Sequence, residues 1–177
     1  MTRLIKQEFW EWAYDDLLAN TTRGVLAEYI VATALGIRDT KRVAWDKVDL
    51  RVGSIGVEVK SAAYLQSWGT QPSTISFGIG LTTGWDAETD TYETTPRRSA
   101  GVYVFCLLTG TDRQHVDPLD VAQWEFYVLP TSVLNHEVPV QKTIRLGPLK
   151  DRLGAHACTY DELKTTIHKL AADNPGS

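Results

Sequence analysis

Two carboxylates and a lysine stand in a stretch that otherwise reads as apolar β-strand. The stretch VDLRVGSIGVEVK contains Asp49, Glu58 and Lys60 among valine, leucine and isoleucine. Charged groups in such surroundings need an opposite charge or a metal ion, because isolated charges are costly to remove from water. Carboxylate oxygens suit Mg²⁺, and a neighbouring lysine can position or deprotonate a water molecule. This combination of groups suits the hydrolysis of a phosphodiester.

The spacing of these residues predicts how they meet. Apolar and charged residues alternate on both sides of the Gly-Ser dipeptide at 53–54, which is typical of a tight hairpin turn. The pattern predicts two antiparallel strands over 43–52 and 55–61. Pairing across the turn can bring Asp49 and Glu58 together near one end of the sheet. A slip of one residue would bury the charges, so the valines fix the register.

A third carboxylate, Glu28, lies in the helix predicted for NTTRGVLAEYIVATALG. This helix is apolar nearly all round, which indicates burial. Gly24 and Ala32 lie one turn before and after Glu28, so that its face of the helix is small and an ion or another backbone can approach. Glu28 is therefore either a carboxylate of the same site or a surface residue paired with Arg23 or Arg38.

Two alternatives stay open from the residues alone. Glu58 and Lys60 also fit an ordinary ion pair on the solvated face of a strand, in an α/β scaffold that does not perform this chemistry. Asp46 rivals Asp49 as the ligand on the first strand, because alternation does not decide which of them turns inward.

The rest of the chain predicts one α/β domain spanning residues 1–177. An amphipathic helix over 4–18 lies in an N-terminal helical segment, 1–19. Residues 82–99 are a long polar insert, and 174–177 are a frayed tail. The other predicted elements are a third strand over 73–81, central strands over 101–110 and 124–130, a short helix in TSVLNHE, an extended segment in KTIRLGPL and a final helix over 160–173.

Composition excludes several classes of protein. The formal net charge is −4, with 18 basic and 22 acidic residues, which is unlike the basic surface of a passive nucleic-acid binder. Cys106 and Cys158 form no CxxC motif, and the four histidines are scattered, so we expect neither a disulfide nor a structural zinc. No apolar run approaches the length of a membrane helix. We expect a cytoplasmic protein without membrane contact.

The segments VDL, VEVK and RGVLAEYIVATALG together resemble the PD-(D/E)xK nuclease superfamily. The order also fits: a helix with a glutamate, a strand with an aspartate, a turn and a strand with E-x-K. Val48 stands where the name of the motif has proline. The resemblance implies the restriction-endonuclease-like fold, with an αβββαβ-type core and a mixed central sheet flanked by helices. It also implies hydrolysis of DNA with Mg²⁺, for which Mn²⁺ substitutes; RNA stays open as a substrate.

The same resemblance implies the roles of individual residues. Asp49, Glu58 and the backbone carbonyl of Val59 would bind the divalent metal, and Glu28 would add a ligand from the helix. Lys60 would order or activate the attacking water.

Several further residues are candidates for supporting parts. Gln66 or Ser61 could support the site, although a polar residue at a strand end explains Gln66 equally well. The candidates for nucleic-acid contact are Arg23, Lys41, Arg42, Lys47, Arg97 and Arg98. The last two could instead balance the acidic residues of their own loop.

Two expectations concern partners. The small size of the chain is compatible with a homodimer, for which the first helix and the polar insert are candidate surfaces. The alternative function is a catalytically silent member of the same fold that binds nucleic acid or a partner protein.

Overall fold

A computed structural model describes residues 3–37, 42–44, 46–69, 71–86 and 89–173. The chain forms a mixed α/β structure around a five-stranded sheet with the strand order β1-β2-β6-β7-β9. The α-helices found among these residues are α1 (Lys6–Tyr14), α2 (Asn20–Leu35), α3 (Thr131–Glu137), α4 (Leu146–Asp151) and α5 (Leu163–Ala172). The strands are β1 (Leu50–Val52), β2 (Ile55–Ala63), β3 (Ser76–Gly78), β4 (Trp85–Asp86), β5 (Thr91–Tyr92), β6 (Val102–Leu108), β7 (Trp124–Pro130), β8 (Thr143–Arg145) and β9 (His156–Cys158).

The hairpin at the edge of the main sheet forms as its sequence predicts. β1 and β2 are antiparallel, and Val52 pairs with Ile55 across a two-residue loop. Gly53 opens this loop with a φ of 59°, a conformation that glycine adopts without steric cost. β2 then runs parallel to β6, while β7 and β9 continue the sheet in antiparallel pairs.

The sheet separates two hydrophobic cores. On one face, valines of β2 and β6 pack against α2 and α5, with Val57, Val104 and Ile167 fully buried. On the other face, alternate residues of β6 and β7 pack against a two-stranded sheet of β3 and β8 and against α3 and α4. Because β6 is covered on both faces, all seven of its residues are buried, as expected for a continuous apolar run.

The structure corrects two of the predicted strands and adds one that was not predicted. The first strand, predicted over 43–52, is confined to β1, since the preceding residues leave the ladder and Asp46 forms an isolated bridge with Trp85. The strand predicted over 73–81 is reduced to β3 and pairs with β8 outside the main sheet. β9 was not predicted, because its three residues are a short polar edge without an apolar pattern.

Helices and loops also differ from prediction. The first helix is shorter than 4–18, and the segment KTIRLGPL is a strand followed by a helix rather than extended throughout. The polar insert contains the β4–β5 hairpin. Lys41 and the tail 174–177 lie outside the described residues. Within the residues that are described, no helix combines the length and apolar character needed to cross a membrane.

Candidate functional site

The corner where β1 begins brings Asp49 against the backbone of β2. The last pair of the hairpin ladder on this side is Leu50 with Val57, so position 49 falls opposite Glu58. Instead of continuing the ladder, Asp49 uses its side chain: its Oδ2 accepts a hydrogen bond of 2.7 Å from the Val59 N–H. In an antiparallel strand the N–H and C=O of one residue face the same neighbour, so the Val59 carbonyl also points towards Asp49.

Glu58 and Lys60 lie on the same face of β2 and form an ion pair. Lys60 Nζ is 2.5 Å from Glu58 Oε1, and the two side chains are 32% and 20% exposed. They alternate with Val57 and Val59, whose side chains are buried against α2. A shift of one residue would exchange these sets, so the apolar face fixes the charged face. The corner therefore holds two carboxylates and an ammonium group in a partly desolvated place.

Asp49 is a weaker acid than an ordinary aspartate, and burial is the largest cause. It raises the pKa of this carboxyl group, and the negative charges of Glu58 and Glu28 raise it further. The hydrogen bond from Val59 and the charge of Lys60 oppose the rise, but the pKa still reaches about 7. Desolvation and like charges both disfavour an ionised carboxylate. The corner is thus short of positive charge, which a bound cation would supply.

The pKa of Lys60 shifts in the direction that keeps it charged. Burial alone lowers the pKa of this amine, but the charge and the hydrogen bond of Glu58, together with the charges of Asp49 and Glu28, outweigh it. The pKa of Lys60 therefore lies above its ordinary value, and the side chain is an ammonium group at neutral pH.

Glu28 reaches the same region from α2 but is held by an arginine. Arg42 binds both of its carboxylate oxygens, with Nε 2.5 Å from Oε2 and Nη2 2.9 Å from Oε1. This two-point hydrogen bond raises the pKa of Arg42. Burial of the guanidinium group has a smaller effect in the opposite direction. Glu28 and Asp49 both line a cavity of about 580 Å³ between α2 and residues 42–51, the α2 cavity.

Small neighbours turn out not to be required beside Glu28. A Cβ added at Gly24 would meet no atom within 4 Å. The expected close approach of a backbone to this face of α2 is therefore absent at Gly24. Ala32 lines the open α2 cavity rather than a tight contact.

The donor atoms at this corner fit a hard divalent cation in number and type, although the carboxylates are not gathered around one point. Among the described residues, no group of three or more His, Cys, Asp or Glu side chains is arranged to hold a metal ion. Mg²⁺ keeps several waters and needs only one or two carboxylates together with substrate phosphate. Asp49, Glu58 and the Val59 carbonyl can supply that number of oxygen ligands.

The rival aspartate, Asp46, has different partners. Its Oδ1 accepts a hydrogen bond of 2.8 Å from the Lys47 N–H, and its Oδ2 lies 3.5 Å from Arg51 Nη2. It lines the α2 cavity with Asp49. Asp49 is bonded to β2 directly, next to Glu58, so the geometry favours Asp49 over Asp46 as the carboxylate that works with Glu58 and Lys60.

The two predicted support residues lie away from the charged corner. Gln66 accepts a hydrogen bond of 3.2 Å from Arg23 and donates one of 2.9 Å to the Ala63 carbonyl, so it ties the end of β2 to α2. Ser61 pairs with Cys106 in register and shares the α2 face of the sheet, opposite the face that carries Lys60.

Two of the arginines predicted to contact nucleic acid are buried. Arg23 is 3% exposed and donates to the Leu18 carbonyl and to Asn20 as well as to Gln66. Arg98 is 5% exposed and donates to the carbonyls of Ile79 and Val138. Burial lowers the pKa of both guanidinium groups. The surface exposure that a phosphate contact needs is not found at either residue.

Each of the other basic candidates that the structure describes, Arg42, Lys47 and Arg97, has an acidic partner. Arg97 is 62% exposed and pairs with Glu93 at 2.5 Å, which is the alternative in which it balances its own loop. Lys47 forms an ion pair with Asp86 of β4. Through this pair and the Asp46–Trp85 bridge, the polar insert packs on the segment that carries Asp46 and Asp49.

Tyr103 is a neighbour of the site that the sequence analysis missed. It pairs with Glu58 across β2 and β6, is 4% exposed and stacks on Phe105 with ring centroids 5.8 Å apart. Burial raises the pKa of its hydroxyl, and the charge of Glu58 adds to the effect. Only the register of β2 on β6 could have predicted this neighbour, since a tyrosine in a run such as GVYVFCLL reads as core.

No protein-family model matches the sequence, and no curated protein matches it.

Proposed function

We propose that this chain is a Mg²⁺-dependent nuclease of the restriction-endonuclease-like fold that hydrolyses phosphodiester bonds of DNA. The observation that carries the proposal is the arrangement of charged groups at the corner where β1 begins. There Asp49 is bonded to the backbone of β2 at 2.7 Å, opposite Glu58, and Lys60 lies 2.5 Å from Glu58. The mixed sheet, the tight hairpin and the preceding helix with Glu28 support the same proposal.

Each residue has a role that its environment favours. Asp49, Glu58 and the Val59 carbonyl would hold the cation, with Glu28 reaching in from α2. A bound Mg²⁺ supplies a polarised phosphoryl oxygen and a more acidic water. The raised pKa of Lys60 argues that it acts as a hydrogen-bond donor, which orients the attacking water and stabilises negative charge on the phosphate, rather than as the proton acceptor.

Glu58 Oε1 accepts the hydrogen bond from Lys60 Nζ. Glu58 would hold a cation through its second oxygen with this hydrogen bond kept, or through Oε1 with the hydrogen bond given up. In either case Lys60 would be close enough to donate to water or to a phosphate oxygen. The positive charge that compensates the partly buried carboxylate would then be that of Lys60, of the cation or of both.

The test is cleavage of supercoiled, linear and single-stranded DNA, and of RNA, with Mg²⁺, Mn²⁺ or EDTA. We expect metal-dependent products from the unaltered protein and a loss of about 10²–10³-fold in rate for Lys60→Ala, the usual range for a donor that stabilises developing negative charge. Lys169→Ala, an exposed lysine on α5, is the matched control and should cut normally. A Lys60→Ala protein that cuts DNA as well as its control would refute the proposal.

A second candidate is a silent member of the same fold that binds nucleic acid or a protein without cleaving. It is favoured by the partners of two of the acids, since Glu28 is held by Arg42 and Glu58 by Lys60. The two candidates separate in the same assay combined with a binding measurement. Binding of DNA that is unaffected by EDTA, with no product under any metal condition, would support the silent member.

A further inference from the structure

The α2 cavity adjoins the corner where β1 begins and is larger than a bound ion requires. Its volume is about 580 Å³. Small-molecule sites usually have volumes of about 300–1,000 Å³. Asp49 lines this cavity and is also bonded to β2, opposite Glu58. A ligand whose charged end is held at the corner can therefore extend into the α2 cavity.

The walls of the α2 cavity are mainly apolar. Val25, Tyr29 and Ala32 lie on successive turns of α2, and the buried residues of this helix are on its other side. Val43 and Leu50 belong to the opposite wall. Tyr29 is 68% exposed and Val43 is 50% exposed, so a ligand can reach both without a change of fold. An apolar cavity with an exposed aromatic residue suits a flat group that can stack.

The charged side chains of the cavity wall pair with one another. Arg42 binds both carboxylate oxygens of Glu28, and Arg51 lies 3.5 Å from Asp46. These pairs leave few groups to read the hydrogen-bonding edge of a base, so a base would be held by stacking and apolar contact. The side chains of Arg42 and Arg51 are still 43% and 40% exposed, which gives positive charge for phosphates that follow the base.

We propose that the α2 cavity receives the base of an unpaired nucleotide next to the phosphate that is cleaved, so that the substrate is DNA with an unpaired strand rather than intact duplex. The inference rests on the proposed function, because that function places the phosphate at the corner beside Asp49. Stacking on an aromatic ring is open to every base, so we expect little preference for sequence.

Intact duplex is the poorer ligand for this cavity. Its bases are stacked and paired inside the double helix, so a base can enter the cavity only after it is extruded. Extrusion costs the pairing and the stacking that the base had, whereas a base that is already unpaired enters without that cost.

Binding of short labelled strands to the whole chain, followed by fluorescence anisotropy, tests the inference. The measurements use Mg²⁺ and the Lys60→Ala background, which limits cleavage. We expect single-stranded oligothymidylate to bind at least about fivefold more tightly than an abasic strand or a duplex of the same length, because only the first offers a base that is free to stack. Equal affinities for oligothymidylate and the abasic strand would overturn the inference.

Variants of the cavity wall locate the bound base. In the same background, Tyr29→Ala should weaken binding of oligothymidylate at least about fivefold, whereas Tyr29→Phe keeps the ring and should bind normally. Ala32→Phe should weaken it similarly by filling the cavity. Neither Tyr29→Ala nor Ala32→Phe should change the affinity for the abasic strand, which also shows that the variants are folded.

Tyr92→Ala is the matched control, because Tyr92 is a tyrosine of similar exposure, 73%, on β5 and does not line the cavity. It should bind both strands normally. If Tyr29→Ala and Ala32→Phe both keep the preference for oligothymidylate over the abasic strand, the base binds elsewhere and the inference is wrong.

Cleavage by the unaltered protein separates this inference from the proposed function. If both hold, single-stranded DNA is cut at least about fivefold faster than duplex. Metal-dependent cleavage of duplex that is as fast as that of single strands would leave the nuclease proposal standing and overturn the inference. A preference for oligothymidylate over the abasic strand, without product under any metal condition, would support the cavity as a base site and contradict the nuclease.

Discussion

Two neighbouring strands of one sheet, β2 and β6, differ in the burial and charge of their side chains. β6 is buried at all seven positions and carries no charge. β2, paired with it in parallel, places Glu58 and Lys60 between buried valines at the edge of the sheet. The centre of the sheet is therefore stabilised by apolar contacts, whereas the corner holds partly desolvated charges that the fold does not need.

This difference separates what stabilises the protein from what we propose it does. Changes in β6 should alter the free energy of unfolding. Changes at the corner should alter cation binding and cleavage, and some of them should make the protein more stable, because buried like charges oppose folding. The predictions below test that separation in order of decreasing expected effect.

The largest effect is expected at the centre of the sheet, for Phe105→Ala. Phe105 is fully buried and packs edge-on against Phe77 with ring centroids 5.1 Å apart. Its truncation should lower the free energy of unfolding by about 3–5 kcal/mol, through lost burial and the cavity left behind. Urea denaturation measures this. Tyr92→Ala, at an exposed aromatic, should change stability by less than about 0.5 kcal/mol; equal losses for the two would contradict the comparison.

The apolar centre was also the part of the fold that the sequence predicted best. The run GVYVFCLLTG gave β6, WEFYVLP gave β7, and Gly36 ends α2 in the left-handed conformation expected of a helix C-terminal glycine. Short elements with few apolar residues could not be predicted in this way. β9 is fixed by pairing with β7, and β3 by pairing with β8, contacts between residues far apart in the chain.

A smaller effect of opposite sign is expected at the corner, for Asp49→Asn. The asparagine oxygen can still accept the hydrogen bond from Val59, but it carries no charge to desolvate. Because the pKa of Asp49 rises from 3.8 to about 7 on folding, the folded state binds more protons than the unfolded state between those values. The free energy of unfolding should therefore fall as pH rises through this window.

Urea denaturation at several pH values checks the sign. At about pH 8 we expect Asp49→Asn to be more stable than the unaltered protein by about 2 kcal/mol. Between about pH 4 and 7 the free energy of unfolding of the unaltered protein should decline, and that of Asp49→Asn should stay nearly constant. Asp49→Asn should also lose metal-dependent cleavage. Asp151→Asn, an exposed residue of α4, is the control and should keep the decline. An unaltered protein whose stability rises across this window would show that Asp49 is not desolvated as described.

The sequence predicted only those parts of the site that depend on pairing between neighbouring strands of one hairpin. The hairpin at 53–54 and the period of two were enough to predict that Asp49 and Glu58 can meet near one end of the sheet, but they left Asp46 as a rival of Asp49. In the structure position 49 falls opposite Glu58. These patterns could not distinguish Arg97 from Arg98, which are adjacent in sequence. One is largely exposed and the other is buried among backbone carbonyls of distant segments.

A still smaller effect is expected where the polar insert meets the corner, for Gly84→Ala. A Cβ at this position would lie 2.7 Å from Lys47 Cβ, in the segment that leads to Asp49. The backbone must shift, at a cost of about 1 kcal/mol, the low end of the range for overpacking. Gly24→Ala, in the first turns of α2, meets no atom within 4 Å and should instead stabilise the protein by about 0.5 kcal/mol.

Thermal unfolding of this matched pair shows whether the insert packs on the corner. We expect Gly84→Ala, but not Gly24→Ala, to lower the unfolding temperature and to weaken binding of Mn²⁺. If the two variants have the same unfolding temperature and the same affinity for Mn²⁺, the insert does not pack on the corner. The charged region to be compared with β6 is then the β1–β2 hairpin alone.

The smallest effect is expected from Arg42→Ala, and it decides whether Glu28 belongs to the corner. Arg42 holds both carboxylate oxygens of Glu28, so its removal leaves that carboxylate uncompensated in the α2 cavity. If Glu28 is a ligand, losing a competing cation should tighten Mn²⁺ binding by about threefold to tenfold, the effect of one partly exposed charge. Titration calorimetry measures this. Arg51→Ala, which removes a charge lining the same cavity beside Asp46, is the control and should change affinity less. Tighter binding only in Arg42→Ala would extend the corner from the sheet edge to α2, whereas equal affinities in both variants would confine it to Asp49, Glu58 and Lys60.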